Sequence, residues 1–264
     1  AGIDLLALIQ ILQTAPLLQG LGTDGSHIHQ GLRTGGSLLL AVYLHAGVQI
    51  ALVGLLHRGV VDHHVVKMGG EGVVVSVMSL FIKVIAVIFV MHVLLLVTQF
   101  VIAGAVSHKN PFVALKRMMP AYFTALGTQS SAATIPVTLA CVKKNGVREH
   151  IADFVVPLCA TIHMSGSILK IVACAFAIAF MTGMPTDIGT YIEFIMLLGI
   201  TMVAAPGVPG GAVMAALGLL ESMLGFSEVQ LSLMIALYLA QDSFGTACNV
   251  TGDGAIAIIV DALF

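Results

Sequence analysis

Charge is what this chain has least of. Lys, Arg, Asp and Glu make up 9% of its 264 residues while 58% are hydrophobic, and mean hydropathy is +1.05; a soluble domain carries about 25% charged residues. So few charges exclude a globule surrounded by water and point to an integral membrane protein. Basic residues are too scarce, at a formal net charge of −2, to form the stripe that a nucleic-acid partner demands. Cysteine is also scarce. Cys141, Cys159, Cys174 and Cys248 lie in apolar stretches without a CxxC pair, so they read as reduced packing residues rather than a metal or redox centre. A basic leader is missing from residues 1–12, so no cleavable signal peptide is read. A chain that starts without Met and stops inside a hydrophobic run reads as a piece of a longer protein.

Long apolar runs are plentiful. Residues 35–56 and 84–106 each exceed the roughly 20 residues that carry a helix across about 30 Å of hydrocarbon. Residues 1–70 read as a helix stub, a loop and one span. The histidines His27, His29, His63 and His64 fall in its loops without the acid or cysteine framework of a metal site. From 72 to 106 a second span follows, with Lys83 snorkelling to the interface.

Lys109, Lys116 and Arg117 precede the apolar stretch 118–142, and Lys143, Lys144 and Arg148 follow it. A simple crossing would put these two basic loops on opposite faces, whereas basic loops gather on the cytoplasmic side. A hairpin that enters, breaks at 130–136 and returns resolves the conflict. Span 151–181 then leads to a loop free of Lys and Arg. A second broken stretch, 191–224 with its break at 205–211, reads as a hairpin entering from the other face, and 231–264 as the returning span. Broken backbone at membrane depth is tolerated only where it is covered or lines a cavity, and a matched pair of breaks marks a transporter's binding site.

The last span carries the chemistry. Asp242, Thr246, Asn249 and Asp253 fall at i, i+4, i+7 and i+11, on one helical face. An Asp at mid-membrane costs about 2.5–3.5 kcal/mol on the insertion scale, so this stripe requires an ion, a cationic group or water. Gly245, Gly252 and Gly254 beside it permit close approach or local unwinding. A polar break at 161–167 in the preceding span would expose carbonyls and hydroxyls suited to Na⁺, with His163 as a core, site-lining or proton-carrying group. An intramembrane aspartyl protease is disfavoured, because residues i and i+11 stand about 16 Å apart along one helix, too far to share a proton.

Four segments, 130–138 (SSAATIPVT), 160–167 (ATIHMSGS), 207–211 (GVPGG) and 242–253 (DSFGTACNVTGD), resemble in order and spacing the signatures of the dicarboxylate/amino acid:cation symporters, the glutamate-transporter homologues. The resemblance covers roughly 72–264. It implies an all-α membrane protein whose transport domain, 71–264, is an inverted repeat with two re-entrant helical hairpins moving as an elevator, and it leaves 1–70 as a remnant of a scaffold domain. The implied activity is symport, not enzymatic catalysis, with Na⁺ as the coupled cation and no organic cofactor. The implied partners are a small amino acid and the lipid bilayer of a plasma or bacterial inner membrane, with a homotrimer where the scaffold is complete.

Residue by residue, the resemblance assigns Ser130 and Ser131 to the substrate carboxylate. Ala205, Pro206, Gly207, Val208 and Gly210 become the gating tip, Asp242 meets the substrate ammonium, and Thr246 and Asn249 make polar contacts. Na⁺ falls to Asp253 and Asn249 with groups around Cys159, Thr161 and His163. Two departures bear on specificity. The motif Asn-Met-Asp-Gly-Thr reads His163-Met164-Ser165-Gly166-Ser167 here, so one ion-binding carboxylate is absent and a proton becomes an alternative to sodium. Gly245 stands where acidic-substrate members carry arginine, so a neutral amino acid is expected over a dicarboxylate, whose second charge would be buried unpaired. A channel or structural subunit is the remaining alternative.

Overall fold

The computed structural model describes residues 72–264, with side chains from 81 onward; the reading of 1–70 and its four loop histidines lies outside the described residues. The described part is helical throughout: α1 (Gly72–Ser107), α2 (Pro111–Thr128), α3 (Ser131–Lys144), α4 (Glu149–Ile162), α5 (Ser165–Met181), α6 (Ile188–Met202), α7 (Gly211–Leu224), α8 (Glu228–Leu239) and α9 (Asp242–Leu263). Among the described residues three stretches are long and apolar enough to cross a membrane: Phe81–Ser107, Glu149–Met181 and Asp242–Leu263. Ile82, Phe89, Val90, Val93 and Leu94 leave the outer side of α1 exposed and greasy, as a lipid-facing helix requires.

Helix ends follow local chemistry. Asn110 caps α2, its side chain accepting from the N–H groups of Phe112 and Val113, with Pro111 at the first helical position where its missing N–H costs nothing. Gln129, at φ 52°, ends α2 in the left-handed region, and Ser130 caps α3 by accepting from Ala133 N–H at 3.2 Å. The expected break at 130–136 is therefore shorter than the sequence suggests. Pro136 lies inside α3, as Pro120 and Pro157 lie inside α2 and α4. The first helix pair also begins earlier than 118, at the Asn110 cap. The glycine-rich 204–212 stretch ends α6 and starts α7, which opens on Gly210 at φ 74°.

One expected span divides. The stretch 231–264 is not a single helix but α8 and α9, separated at Ala240 and Gln241. The division starts a new helix at Asp242, whose side chain then reaches the N–H of Gly210 rather than running along a continuous flank.

Two helices organise the packing. α9 lies against α1, α2, α3, α4 and α5, while α5 also meets α1, α6, α7 and α8. Both are buried along nearly their whole length. α2 packs on α3, and α6 on α7. At one end of the first pair, Lys109 Nζ donates to the carbonyls of Asn145 at 2.9 Å and Gly146 at 3.2 Å. The two basic loops are thereby adjacent. Arg148 Nε donates to Asp261 Oδ1 at 2.8 Å, and Lys109 lies 4.0 Å from the same carboxylate, tying the end of α9 to this corner.

Candidate functional site

Four chain breaks converge on one cleft. It is lined by Gln129 and Ser131 from the first pair, Pro206, Gly207 and Val208 from the second, and Asp242, Thr246 and Asn249 from α9. Met164 and Ser167 enter from the break between α4 and α5, and Tyr238 from α8. Its empty volume, open solvent at the mouth included, is about 240 Å³.

The tips of the two pairs touch directly. Ser130 Oγ donates to the Gly207 carbonyl at 2.9 Å, joining residues 77 apart in sequence. Gly207 itself abuts the end of α4: a Cβ there would lie 2.7 Å from the backbone oxygen of Ala160. Only a residue without a side chain fits so close to a carbonyl. Ser131 is buried at the start of α3 and faces the cleft. Ala205 is buried in the core and does not line the cleft, while Gly210 contributes its backbone N–H.

The stripe on α9 is buried in full: Asp242, Thr246, Asn249 and Asp253 are each 6% exposed or less. Its members are engaged. Asp242 Oδ1 accepts from Lys170 Nζ at 3.0 Å and Oδ2 from Gly210 N–H at 2.7 Å. The Asn249 carbonyl oxygen accepts from the N–H groups of Gly166 at 2.8 Å and Ser167 at 3.3 Å, and its amide donates to Ser167 Oγ at 2.9 Å. These bonds satisfy the first N–H groups of α5, which no residue of the preceding turn could reach. Thr246 donates back to the Asp242 carbonyl at 3.0 Å.

The expected sodium ligands are brought together only in part. His163 Nδ1 and Asp253 Oδ1 are 2.8 Å apart, both buried. Cys159 is fully buried nearby on α4, but Thr161 is exposed and donates to Leu158 O at 2.7 Å, away from the carboxylate. Asn249 Oδ1 is already accepting two N–H groups. Among the described residues no three His, Cys, Asp or Glu side chains form a metal cluster. The glycines on the stripe serve close packing rather than unwinding, since α9 is continuous through Gly245, Gly252 and Gly254. A Cβ on Gly252 would stand 2.7 Å from both Gln99 Oε1 and His163 Cε1.

Sequence reasoning missed Lys170. It is fully buried on α5, paired to Asp242, with its ammonium 3.4 Å from the Tyr238 ring centroid. The signal was present: a lysine in the middle of an apolar run carries the same insertion penalty as the aspartates. Its partner lies 72 residues away, so no local pattern links them. His92 and Gln99 of α1 were missed likewise; His92 Nε2 lies 3.0 Å from Gly166 O, and Gln99 donates to Ser165 Oγ at 3.3 Å.

Comparison with known proteins adds an independent finding. The profile of the sodium:dicarboxylate symporter family matches residues 59–263. Excitatory amino acid transporter 2 of Homo sapiens is 35% identical over 156 residues, 59% of this chain and 27% of that protein. Excitatory amino acid transporter 1 of Homo sapiens is 30% identical over 214 residues, 81% of this chain and 39% of that protein. Neutral amino acid transporter B(0) of Mus musculus is 35% identical over 148 residues, covering 56% of this chain and 27% of its own length. The chain thus spans 27–39% of the length of these relatives.

Proposed function

The chain belongs to the sodium:dicarboxylate symporter family, and from that premise we propose that it forms the cargo-binding part of a secondary transporter, moving a small carboxylate with an uncharged side chain together with a cation. Neutral amino acids are the members of that class to which the sequence points. The observation that carries the reading is the meeting of the two tips at the cleft: Ser130 of one helix pair donates to Gly207 of the other, and both tips line the cleft together with Asp242 and Asn249. Parting such tips is how a carrier would gate its ligand, a device that a continuous pore does not need.

The roles follow from the geometry. Ser131 and the N-terminal turn of α3 offer a hydroxyl and free N–H groups to a carboxylate. Thr246 and Asn249 flank the body of the ligand. No Lys or Arg lines the cleft, so an acidic side chain would be buried without a partner, and a dicarboxylate is disfavoured. Na⁺ at Asp253 is the coupled ion we propose. The His163–Asp253 contact favours one second reading, in which a proton held between imidazole and carboxylate takes sodium's part. In the complete carrier, opposed re-entrant hairpins would travel as an elevator in the plasma or bacterial inner membrane, anchored by a trimeric scaffold.

Uptake into liposomes under an imposed sodium or pH gradient tests both readings. The sodium reading expects accumulation driven by inward Na⁺, the second by inward H⁺; no gradient-driven uptake of alanine, serine or a related small carboxylate would remove both. Thermal unfolding in detergent offers a parallel measure, since a ligand that binds only the folded protein raises its stability by mass action.

A further inference from the structure

Lys170 and Gly245 sit on different helices and are fitted to one another. A Cβ on Gly245 would lie 3.0 Å from Lys170 Nζ and 3.3 Å from Cε, so the ammonium occupies the room that bare backbone leaves on α9. The lysine is fully buried and does not line the cleft; it stands behind Asp242, which does. Beneath it the Tyr238 ring lies 3.4 Å from the ammonium, close enough for a cation–π contact. Asp242 therefore faces the cleft with one oxygen held by an ammonium and the other by the Gly210 N–H. Its charge is already cancelled inside the protein. A second ammonium brought to the same carboxylate would meet the first at close range in a medium of low dielectric, where like charges repel strongly.

Resting on the symporter reading above but narrowing its ligand away from the amino acids to which the sequence points, we propose that Lys170 is a tethered ammonium standing in for the amino group of an amino acid, so that the cleft selects a small monocarboxylate without one, such as a short 2-hydroxy acid. The cleft wall agrees with that chemistry. Ser131 and Thr246 offer hydroxyl oxygens to a hydroxyl group, and Val208 and Ala212 offer apolar surface for a short alkyl end.

L-Lactate and L-alanine differ only in hydroxyl against ammonium at the second carbon, which makes them the deciding pair. Equilibrium binding of each radiolabelled ligand to the purified full chain in detergent, with Na⁺ present, should show lactate at least tenfold tighter. Lys170→Gln, by releasing Asp242, should shift that ratio at least tenfold toward alanine. Alanine binding as tightly as lactate in the unaltered chain, a ratio unmoved by Lys170→Gln, or succinate binding more tightly than both would overturn the assignment while leaving a symporter in place. Binding of none of these ligands, with Na⁺ or at low pH, would sink the symporter reading and this inference with it. Where Lys170→Gln does not fold, the ratio in the unaltered chain decides alone.

Discussion

Neither Asp242 nor Lys170 is tolerable alone at the depth where they meet. Removing one partner of a buried pair leaves an uncompensated charge, typically at a cost of about 3–5 kcal/mol. Asp242→Asn should therefore lower the unfolding midpoint in detergent markedly, and adding Lys170→Gln should recover part of the loss. A double-mutant coupling energy near zero would show that the two side chains do not depend on each other. The glycines of α9 give a finer test. At position 252 a new methyl group meets Gln99 and the His163 ring at 2.7 Å, whereas at 254 it meets the Cε and Sδ of Met118, the pliable end of a thioether. Gly252→Ala should cost about 1–3 kcal/mol by overpacking and Gly254→Ala distinctly less, read as the difference in their melting temperatures. The aspartates were legible because acid inside an apolar run has no innocent explanation. Lys170 obeys the same rule and was passed over, since its meaning lies in a contact between α5 and α9 that only the fold creates.

At the scale of elements, the breaks matter more than the helices. Two of them, at 163–164 and across 203–210, were readable from sequence because His, Met and Ser interrupt one run and glycine and proline crowd the other. The break before Asp242 was not readable. No glycine or proline marks Ala240 and Gln241, and the helix restarts where tertiary contacts to Gly210 and Lys170 hold the aspartate. Pro136 misled in the other direction: a proline extended the expected break, yet α3 runs through it, the break resting instead on the left-handed Gln129 and the Ser130 cap. Ser130 serves two elements at once, as cap of α3 and as donor to Gly207. Ser130→Ala should remove both, costing α3 about 0.5–2 kcal/mol and loosening the opposite tip. Amide hydrogen exchange should quicken at Gly207, Val208 and Gly210 while the interiors of α5 and α9 stay protected; unchanged exchange at the tip would show that the tip contact carries no weight.

Across the described residues, polar contacts are unevenly spread. One cluster surrounds the cleft, and another binds the corner where Lys109 reaches Asn145 and Gly146 while Arg148 reaches Asp261. Residues remote in sequence, from the turn before α2, the turn after α3 and the end of α9, are sewn together there. In the proposed transport cycle these partners would stay together, whereas Ser130 and Gly207 would part. A bifunctional thiol reagent bridging cysteines introduced at 148 and 261 should be kinetically silent, and the same bridge between 130 and 208 should halt turnover. On the transporter reading proposed above, the corner would be the stationary knot of the moving block, and the tips its shutter.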